Sequence, residues 1–342
     1  MRAGTGVRRA LVTGAGGFIG SHLAAELRRR DWAVVALDLD LARVRHLAGG
    51  RGFELLEGDV GDGETQRHAL RGADTVFHLA AAHLGVSQGD AEFRRVNVEA
   101  VQTLVHAARE AGVRRFVHCS SVGVYGHLER MPADEDTPCR PDLVYEETKL
   151  AGETVVRDAA REGFPAVILR PAWVYGPGCP RTERLFRTIR KGRFVMAGKG
   201  DTLRHCVYVR DMVDAFRLAA DAEAALGRVI VVGDEGAVAL RRLVDEIAGL
   251  VGARPPRSVP LALFRWAARA FEAAYRPLGK EPPLSGRTLK FFTGATSFDI
   301  SRARELLGFR PGYDLTRGLA ETWAVLSDPA PWRVPLPERG PA

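Results

Sequence analysis

Three glycines near the start of the chain recur at a spacing of three residues. Gly14, Gly17 and Gly20 follow the apolar run at residues 9–13 and precede a helix predicted over residues 21–30. Glycines at this spacing permit a tight turn, let the backbone approach a pyrophosphate and let the helix pack closely on the strand. The pattern predicts a βαβ unit that binds a dinucleotide, with the phosphates at the helix N-terminus.

An acidic residue ends the second predicted strand, residues 33–38. Asp38 sits where a carboxylate accepts hydrogen bonds from the adenosine ribose hydroxyls of a bound dinucleotide. Because a carboxylate repels a 2′-phosphate, the sequence favours NAD over NADP. Asp40 is the alternative residue for this role, and Arg43 lies close by in the sequence.

Apolar segments of strand length alternate with helical segments through the first half of the chain, which is typical of βαβ units in a parallel sheet. The predicted strands are residues 9–13, 33–38, 53–57, 75–79, 115–120, 166–170 and 229–232. After residue 170, clusters of proline and glycine indicate the loops of a substrate lobe. We therefore expect an α/β protein with a Rossmann-type, doubly wound, mostly parallel sheet and a smaller C-terminal lobe. The predicted core is residues 7–172 and about 205–233, the lobe is residues 173–204 and 234–328, and residues 329–342 are a proline-rich tail.

The charge of the chain argues against nucleic acid as a partner. With 342 residues, 46% of them hydrophobic and 27% charged, the chain can bury a large core. The formal charge of +7 reflects 44 arginines and five lysines, which are scattered among acidic residues rather than gathered in a stripe. We expect only a mild attraction for anionic substrates.

The spacing of the cysteines and the residues after Met1 indicate the cellular compartment that we expect for this protein. The four cysteines show no C-x-x-C spacing and no paired histidines nearby, so we expect no metal and no disulfide framework, but reduced thiols in a cytoplasmic protein. No apolar signal region follows Met1.

The apolar stretch 259–275 contains Arg265, Arg269 and Glu272, which predicts an amphipathic helix packed on the lobe. Contact with a membrane surface or cover for an apolar pocket are the alternatives.

Tyr145 and Lys149 have the spacing of two residues on one face of a helix. An ammonium one turn from a phenol can lower the pKa of that phenol and make it a usable general base. Ser120 and Ser121 follow the strand predicted at residues 115–120, so their hydroxyls should lie at the edge where open α/β sheets place their ligands. Together these residues predict a proton-transfer centre beside the nucleotide.

The order and spacing of these motifs resemble those of the short-chain dehydrogenase/reductases, in particular the extended class that forms the NAD-dependent epimerase/dehydratase group. The resemblance runs from about residue 9 to residue 320. Without it, Asp59 would be interpreted as a turn residue and Asn97 as a helix cap. The resemblance implies NAD as the cofactor, with a cofactor site formed by Gly14, Gly17, Phe18, Ile19, Gly20, Asp38, Asp59, Val60, Leu79, Ala80, Ala81, Asn97, Ser120, Tyr145, Lys149 and Pro171.

The resemblance also assigns catalytic roles. Ser121 would hydrogen-bond a substrate oxygen while Tyr145 takes its proton and the adjacent carbon delivers a hydride to the nicotinamide. Lys149 would hold the nicotinamide ribose and lower the pKa of Tyr145. Thr148 replaces the serine that usually precedes this lysine, a departure that leaves the mechanism intact.

One departure from the family narrows the reaction. Sugar 4,6-dehydratases of this family carry an Asp-Glu pair after the catalytic hydroxyl, because the elimination of water needs a second acid and base. Val122 and Gly123 occupy those positions here, which disfavours dehydration and the related sugar-acid decarboxylation. Glu146 and Glu147 are possible substitutes, but beside Tyr145 on a helix such residues are more often solvated.

The predicted substrate residues give conflicting signals. Arg204 matches an arginine that grips substrate phosphate in nucleotide-sugar enzymes, although a surface salt bridge is the simpler role. Trp173 stands where those enzymes usually have an asparagine; it is either a stacking surface for a ring or a buried structural residue. The arginine that often precedes the final family motif is absent at residues 296–298. The segments 261–271 and 81–85 are closer to members that resemble 3β-hydroxysteroid dehydrogenases.

The sequence therefore predicts an NAD-dependent enzyme that transfers hydride at a secondary alcohol or ketone. A nucleotide-sugar epimerase is the leading hypothesis, and a dehydrogenase of a hydrophobic hydroxy or keto compound is the alternative. A catalytically silent NAD-binding regulator is a third, which the intact Ser121, Tyr145 and Lys149 oppose. Because helices after Asn97 and around Tyr145 commonly pair across subunits in the family, we expect a homodimer, with a small-molecule substrate and no integral membrane segment.

Overall fold

The structure is a computed structural model that describes residues 7–49, 52–82, 89–275, 286–328 and 333–334. Its strands are β1 Arg9–Thr13, β2 Ala33–Asp38, β3 Phe53–Glu57, β4 Thr75–His78, β5 Arg115–Cys119, β6 Ala166–Pro171, β7 Trp173–Tyr175, β8 Met196–Ala197, β9 Leu203–Arg204, β10 Cys206–Tyr208, β11 Val229–Val232, β12 Val238–Ala239 and β13 Ser258–Val259. Its helices are α1 Phe18–Arg29, α2 Gly63–Ala69, α3 Asp90–Arg94, α4 Ala100–Glu110, α5 Val144–Arg161, α6 Pro180–Arg190, α7 Val209–Asp221, α8 Leu240–Leu250, α9 Leu261–Tyr275, α10 Gly286–Thr293, α11 Ser301–Leu307 and α12 Leu315–Ser327.

A seven-stranded sheet in the order β11-β6-β5-β4-β1-β2-β3 forms the centre of the fold. Every neighbouring pair in it is parallel. The predicted Rossmann-type sheet is confirmed, and each predicted strand ends within one residue of the observed one. The chain reverses its strand order between β1 and β4, which is the place where open parallel sheets bind ligands.

The register of the sheet brings the predicted site residues to one edge. Thr13 at the end of β1 pairs with His78 at the end of β4, and His78 pairs with His118 near the end of β5. The loops that follow these strands carry the glycine turn, residues 79–82 and Ser121. These three loops lie side by side because the strands that precede them are neighbours in the sheet.

Both faces of the sheet are covered by apolar helices. On one face, α1 packs on α7 around a cluster that includes Leu23, Phe77 and Phe216. On the other, α4 packs on α5 around a cluster that includes Leu104, Phe116 and Val156. The strands between them are buried on both faces, as in other fully covered parallel sheets.

A third apolar cluster lies beyond the sheet, and we call the region around it the C-terminal lobe. It is built from α6, α8, α9, α10 and α12, with Phe186, Leu243 and Phe292 among its buried residues. Helix α9 confirms the amphipathic helix predicted at residues 259–275: Phe264 and Ala268 are buried, whereas Trp266 is 71% exposed. In the described part of the chain, no helix has both the length and the apolarity needed to cross a membrane.

Two predicted segments fall partly outside the described residues. Of the predicted tail, only residues 333–334 are described; Val334 is buried, and its carbonyl oxygen lies 2.8 Å from Nε2 of His46. Of the segment 81–85, only residues 81 and 82 are described.

Candidate active site

The glycine turn after β1 is built by backbone contacts that exclude side chains. Gly14 has a φ of +72°, and a Cβ atom there would lie 2.6 Å from the amide nitrogen of Ala80. A Cβ atom on Gly20 would lie 2.0 Å from the carbonyl oxygen of Gly14. Helix α1 begins at Phe18 rather than at residue 21 as predicted, because Gly20 packs against the turn from within the first helical turn.

Gly16 is a residue of this turn that the three-glycine pattern does not include. A Cβ atom there would lie 1.7 Å from the carbonyl oxygen of Asp40, and its amide donates a 2.9 Å hydrogen bond to Oδ2 of Asp38. The signal was available in the sequence as a fourth glycine, adjacent to Gly17. Gly16 therefore couples the turn to the acidic residue at the end of β2.

The start of α1 offers backbone donors to an anion. Gly17 occupies the N-cap position and supplies no side chain to bond the first-turn amides. The amides of Phe18, Ile19 and Gly20 lack an intrahelical acceptor, as in any first turn, and the helix dipole favours negative charge there. The cradle of glycines and these amides fit a pyrophosphate.

Asp38 and Asp40 differ in what their carboxylates contact. Asp38 is half-buried and accepts from Gly16, and burial raises the pKa of its carboxyl. Asp40 is exposed and accepts a 2.9 Å hydrogen bond from the amide of Ala42 in its own turn. Asp38 is thus the better placed of the two for a ribose. Arg43 donates to the carbonyl oxygen of Gly178 at 2.8 Å, in the loop after β7.

The residues carried over from the family after β3 and β4 make specific structural contacts. Asp59 accepts a 2.7 Å hydrogen bond from the amide of Gly61 and forms a 2.9 Å ion pair with Arg95. Asn97 is buried; it accepts from the amide of Ala82 at 2.9 Å and donates to Oγ1 of Thr148 at 3.0 Å. Asn97 therefore ties the loop after β4 to the catalytic helix α5. Four further predicted cofactor residues, Val60, Leu79, Ala80 and Ala81, belong to the loops after β3 and β4.

Ser121, Tyr145 and Lys149 lie on two segments that pack against each other. Ser121 precedes the short turn Val122–Tyr125, which contacts α5, and its Oγ accepts a 3.0 Å hydrogen bond from the amide of Gly123. Lys149 is buried on α5 and donates a 2.6 Å hydrogen bond to the carbonyl oxygen of Cys119. That bond fixes the helix against the end of β5, two residues before Ser121.

The electrostatics of Tyr145 are dominated by burial. Burial, followed by the charge of Cys119, raises the pKa of Tyr145 to about 12, and Lys149 is not among the groups that shift it. The lowering of this pKa by Lys149 stays a prediction. Burial also lowers the pKa of Lys149.

A buried polar chain lies behind the catalytic segment. Ser120, predicted to line the cofactor, donates a 2.7 Å hydrogen bond from its hydroxyl to Oε2 of Glu153. Arg170 binds Glu153 through two bonds of 2.9 and 2.6 Å and donates to the hydroxyl of Tyr125 at 2.8 Å. Glu153 was not singled out by the sequence, although it continues the four-residue spacing of Tyr145 and Lys149.

Gly123, at one of the two positions that hold an acid and a base in dehydratases, has little room for a side chain. A Cβ atom on Gly123 would lie 3.2 Å from Oγ of Ser121 and 3.3 Å from Cγ of Glu146. Glu146 is not free to substitute, since it accepts a 3.0 Å hydrogen bond from the amide of Asp142 and faces Lys290 at 3.5 Å. It is half-buried rather than solvated, whereas Glu147 is exposed.

The two predicted substrate residues are engaged within the protein. Trp173 is half-buried and packs against the C-terminal lobe, and Pro171, the last residue of β6, is buried beside it. The guanidinium of Arg204 donates to the carbonyl oxygens of Lys290, Phe291 and Gly294 at the end of α10. These contacts are neither the surface salt bridge that was the alternative to phosphate binding nor an open cationic site. Its phosphate contact stays a prediction that requires these carbonyls to release it.

Metal ligands do not gather in the described residues, where no group of three or more histidine, cysteine or acidic side chains could hold an ion. Cys119, Cys139, Cys179 and Cys206 are free thiols.

Known proteins resemble this chain over most of its length. The model of the NAD dependent epimerase/dehydratase family matches residues 10–233. A UDP-glucose 4-epimerase of Mycolicibacterium smegmatis is 34% identical over 92% of this chain and 97% of its own. A 3 beta-hydroxysteroid dehydrogenase/Delta 5-->4-isomerase of Mycobacterium tuberculosis is 28% identical over 93% and 90%. The solved structure of MoeE5 in complex with UDP-glucose and NAD is 32% identical, covers 92% of this chain and 97% of that one, and superposes with a TM-score of 0.72.

Proposed function

Since this chain belongs to the NAD dependent epimerase/dehydratase family and is an enzyme that uses NAD, we propose that it epimerises a nucleotide sugar at a secondary carbinol. The observation that carries the proposal is the arrangement of Tyr145 and Lys149 on α5. Lys149 is bound to the carbonyl oxygen of Cys119, and Ser121 follows two residues later.

Each catalytic residue has one task in this proposal. NAD supplies a hydride acceptor that can return the hydride. Tyr145 exchanges the proton of the substrate hydroxyl, and Ser121 holds the same oxygen by a hydrogen bond. Lys149 would bind the nicotinamide ribose with the donors that Cys119 leaves unused. Asp38 would bind the adenosine ribose, and the first turn of α1 the pyrophosphate.

Epimerisation is supported over dehydration by the contents of the turn after Ser121. Elimination of water needs a second acid and base, and Val122 and Gly123 supply neither. The carboxylate of Glu146, which precedes Glu147 and follows Tyr145 in the chain, is engaged by the amide of Asp142 and by Lys290. The nucleotide-sugar substrate is supported by the relatives, one a UDP-glucose 4-epimerase and another bound to UDP-glucose.

A second candidate function is the oxidation of a hydrophobic hydroxy compound, such as a steroid-like ring. The observation that favours it is the engagement of Arg204, whose two terminal guanidinium nitrogens donate to the carbonyls at the end of α10 rather than to a substrate phosphate. Trp173 at the lobe boundary would suit an apolar ring. The relative named as a 3 beta-hydroxysteroid dehydrogenase is consistent with it.

We also propose a cytoplasmic homodimer. Four free thiols are consistent with a reducing compartment. Helices α4 and α5 pack side by side and would offer the pairing surface common in the family. Light scattering coupled to size exclusion should give about twice the mass of 37.2 kDa, and a monomeric mass would contradict this part of the proposal.

The proposed function is tested first by the cofactor that leaves the protein. The enzyme is purified without added nucleotide and heat-denatured, and the released compounds are identified by mass. Near-stoichiometric NAD indicates a cofactor that is recycled within each turnover, as an epimerase requires. An empty protein that binds added NAD favours the dehydrogenase.

A substrate panel then separates the two candidates. UDP-glucose and UDP-glucuronic acid represent one class, and a 3β-hydroxysteroid the other. The Tyr145→Phe variant is the control: we expect turnover to fall by at least about 100-fold while bound NAD is retained. Undiminished turnover in that variant would overturn the catalytic assignment.

A further inference from the structure

Glu153 is a fully buried carboxylate one helical turn beyond Lys149 on α5. It accepts from Oγ of Ser120 at 2.7 Å and from the guanidinium of Arg170 at 2.6 and 2.9 Å. Arg170 is itself buried on β6. A buried ion pair of this kind costs much desolvation energy and is a poor source of stability compared with apolar residues of the same volume. Its location behind the catalytic centre calls for another explanation.

The ion pair of Glu153 and Arg170 binds residues on both sides of Ser121 in the chain. Ser120, immediately before Ser121, is held by Glu153. Tyr125, four residues after Ser121, is held by Arg170 at 2.8 Å. The segment that carries Ser121 is therefore attached at both ends to one buried ion pair.

The negative charge of Glu153 also acts on Lys149, where it opposes the lowering of the pKa by burial. The titratable groups that face Lys149 are Glu153 on its own helix, His78 on β4, and His118 and Cys119 on β5. Burial, helped by the charge of Lys149, lowers the pKa of His78 to about 3 and that of His118 well below its ordinary value. Burial raises the pKa of Cys119 to about 11. Among these groups, Glu153 is the one that forms an ion pair with a buried arginine, so it is the carboxylate that offers Lys149 a negative charge.

We propose that Glu153, paired with Arg170, is a positioning residue of the active site that keeps Lys149 protonated and holds the segment bearing Ser121. Glu153 touches neither reacting group. It acts on Lys149 through its charge and on Ser121 through Ser120. The groups around Glu153 are Ser120 directly after β5, Arg170 on β6, Cys139 in the loop before α5, and Lys149 and Arg157 on α5, with Nη1 of Arg157 at 4.0 Å.

The lysine content of the chain allows a direct test. Only five lysines are present, and among those described Lys191 and Lys199 are exposed and Lys290 is half-buried, whereas Lys149 is buried. In protein labelled with [ε-¹³C]lysine, the pH titration of the Lys149 signal can be followed by NMR, after assignment with a Lys149→Arg variant. In Glu153→Gln we expect the pKa of Lys149 to fall by about one unit, because an opposite charge is removed from a buried site.

A matched control removes a different carboxylate from an arginine pair. Glu223 binds the buried Arg115 at 2.5 Å at the opposite end of β5. Glu223→Gln should leave the Lys149 titration unchanged. An unmoved titration in Glu153→Gln, or an equal shift in Glu223→Gln, would overturn the proposal. If Glu153→Gln does not fold, the double variant Glu153→Met and Arg170→Met removes both charges without leaving one unpaired. Because the cation of Arg170 is lost together with the carboxylate, the pKa of Lys149 should then fall by less than in Glu153→Gln, and a rise would overturn the proposal.

A second measurement tests whether Glu153 positions the segment that bears Ser121. This measurement rests on the proposed function, because it needs a substrate. In Glu153→Gln we expect kcat to fall about 10-fold with KM within about twofold, since misplacement of a catalytic group affects the transition state. Glu153→Asp should restore part of the loss. An inactive wild-type protein would count against the proposed function alone, because the Lys149 titration does not depend on substrate. Unchanged kcat in Glu153→Gln would refute the role toward Ser121.

Discussion

The turn before α1 and the short strand β9 each carry donors suited to an anion, and they differ in whether these donors belong to the backbone or to a side chain. At the turn, the donors are amides whose direction is set by Gly14, Gly16 and Gly20, where any side chain would collide with neighbouring backbone. At β9, the donor is the guanidinium of Arg204, and it binds the carbonyls at the end of α10.

The contrast shows why an anion site made of backbone amides is preformed, whereas one made of a long side chain is not. Amides at a helix start have no other partner within the helix, so the site is present whether or not a ligand is bound. A guanidinium on a long, flexible side chain will bind whichever carbonyl groups the fold presents to it. The C-terminal end of α10 presents several, and the helix dipole adds to the attraction.

The largest effect is expected from a side chain placed in the turn. In Gly20→Ala the new Cβ would lie 2.0 Å from the carbonyl oxygen of Gly14, so the turn and the start of α1 must separate. We expect NAD affinity to fall by about 10- to 100-fold, as for the loss of one hydrogen bond to a charged group. Isothermal titration calorimetry with NAD measures this.

A glycine of the C-terminal lobe is the control for that variant. Gly249 lies on α8, its φ is not positive, and a Cβ atom added there would meet nothing within 4 Å. Gly249→Ala should leave NAD affinity unchanged and stabilise the helix by up to about 1 kcal/mol. Equal NAD affinity in Gly20→Ala and wild type would mean that the turn does not bind the pyrophosphate.

An intermediate effect is expected at Arg204. In Arg204→Met the carbonyls of Phe291 and Gly294 lose their donor, and we expect the free energy of unfolding to fall by about 1–3 kcal/mol, with NAD affinity unchanged. Denaturant titration measures the stability. In Arg242→Met, which removes an exposed ion pair with Glu246 on α8, the loss should stay below about 1 kcal/mol. Unchanged stability in Arg204→Met, with a raised KM for UDP-glucose, would make the guanidinium a substrate ligand after all.

A pH-dependent effect is expected at Asp234, at the predicted boundary between core and lobe. Burial, followed by the charge of Asp211, raises the pKa of Asp234 from an ordinary 3.8 to about 8. The group therefore favours the folded state below pH 3.8, and that contribution is lost as the pH rises to about 8. Over this range the slope from one group is at most about 1.4 kcal/mol per pH unit.

Replacing the carboxyl isolates this contribution. In Asp234→Asn the decline of the melting temperature between pH 4 and pH 8 should be shallower than in the wild type. Asp62→Asn, at the exposed N-cap of α2, is the comparison, since it removes a carboxylate that accepts from the amide of Thr65 in solvent. Identical pH profiles for wild type and Asp234→Asn would show that this carboxyl does not titrate in the folded protein.

Local patterns were sufficient for the sheet and for the cofactor side of the site. The strands of the main sheet are short apolar runs between helices, and their order along the chain allows few topologies. Asp38 follows from its place at the end of β2. The start of α1 was predicted three residues late, because Gly20 was interpreted as a turn residue, and its fit against Gly14 inside the helix depends on a contact between backbones.

The sequence by itself determined the residues whose roles depend on spacing: the glycine turn, the acidic end of β2, and Tyr145 and Lys149 one turn apart. Only the tertiary structure decided which partners the charged side chains bind. Glu153 binds Arg170, which lies 17 residues further along the chain, and Arg204 binds the end of α10, about 90 residues away. No local spacing predicts either contact. The physical reason is reach: backbone geometry is fixed within a few residues, whereas a long charged side chain binds whatever the fold brings near it.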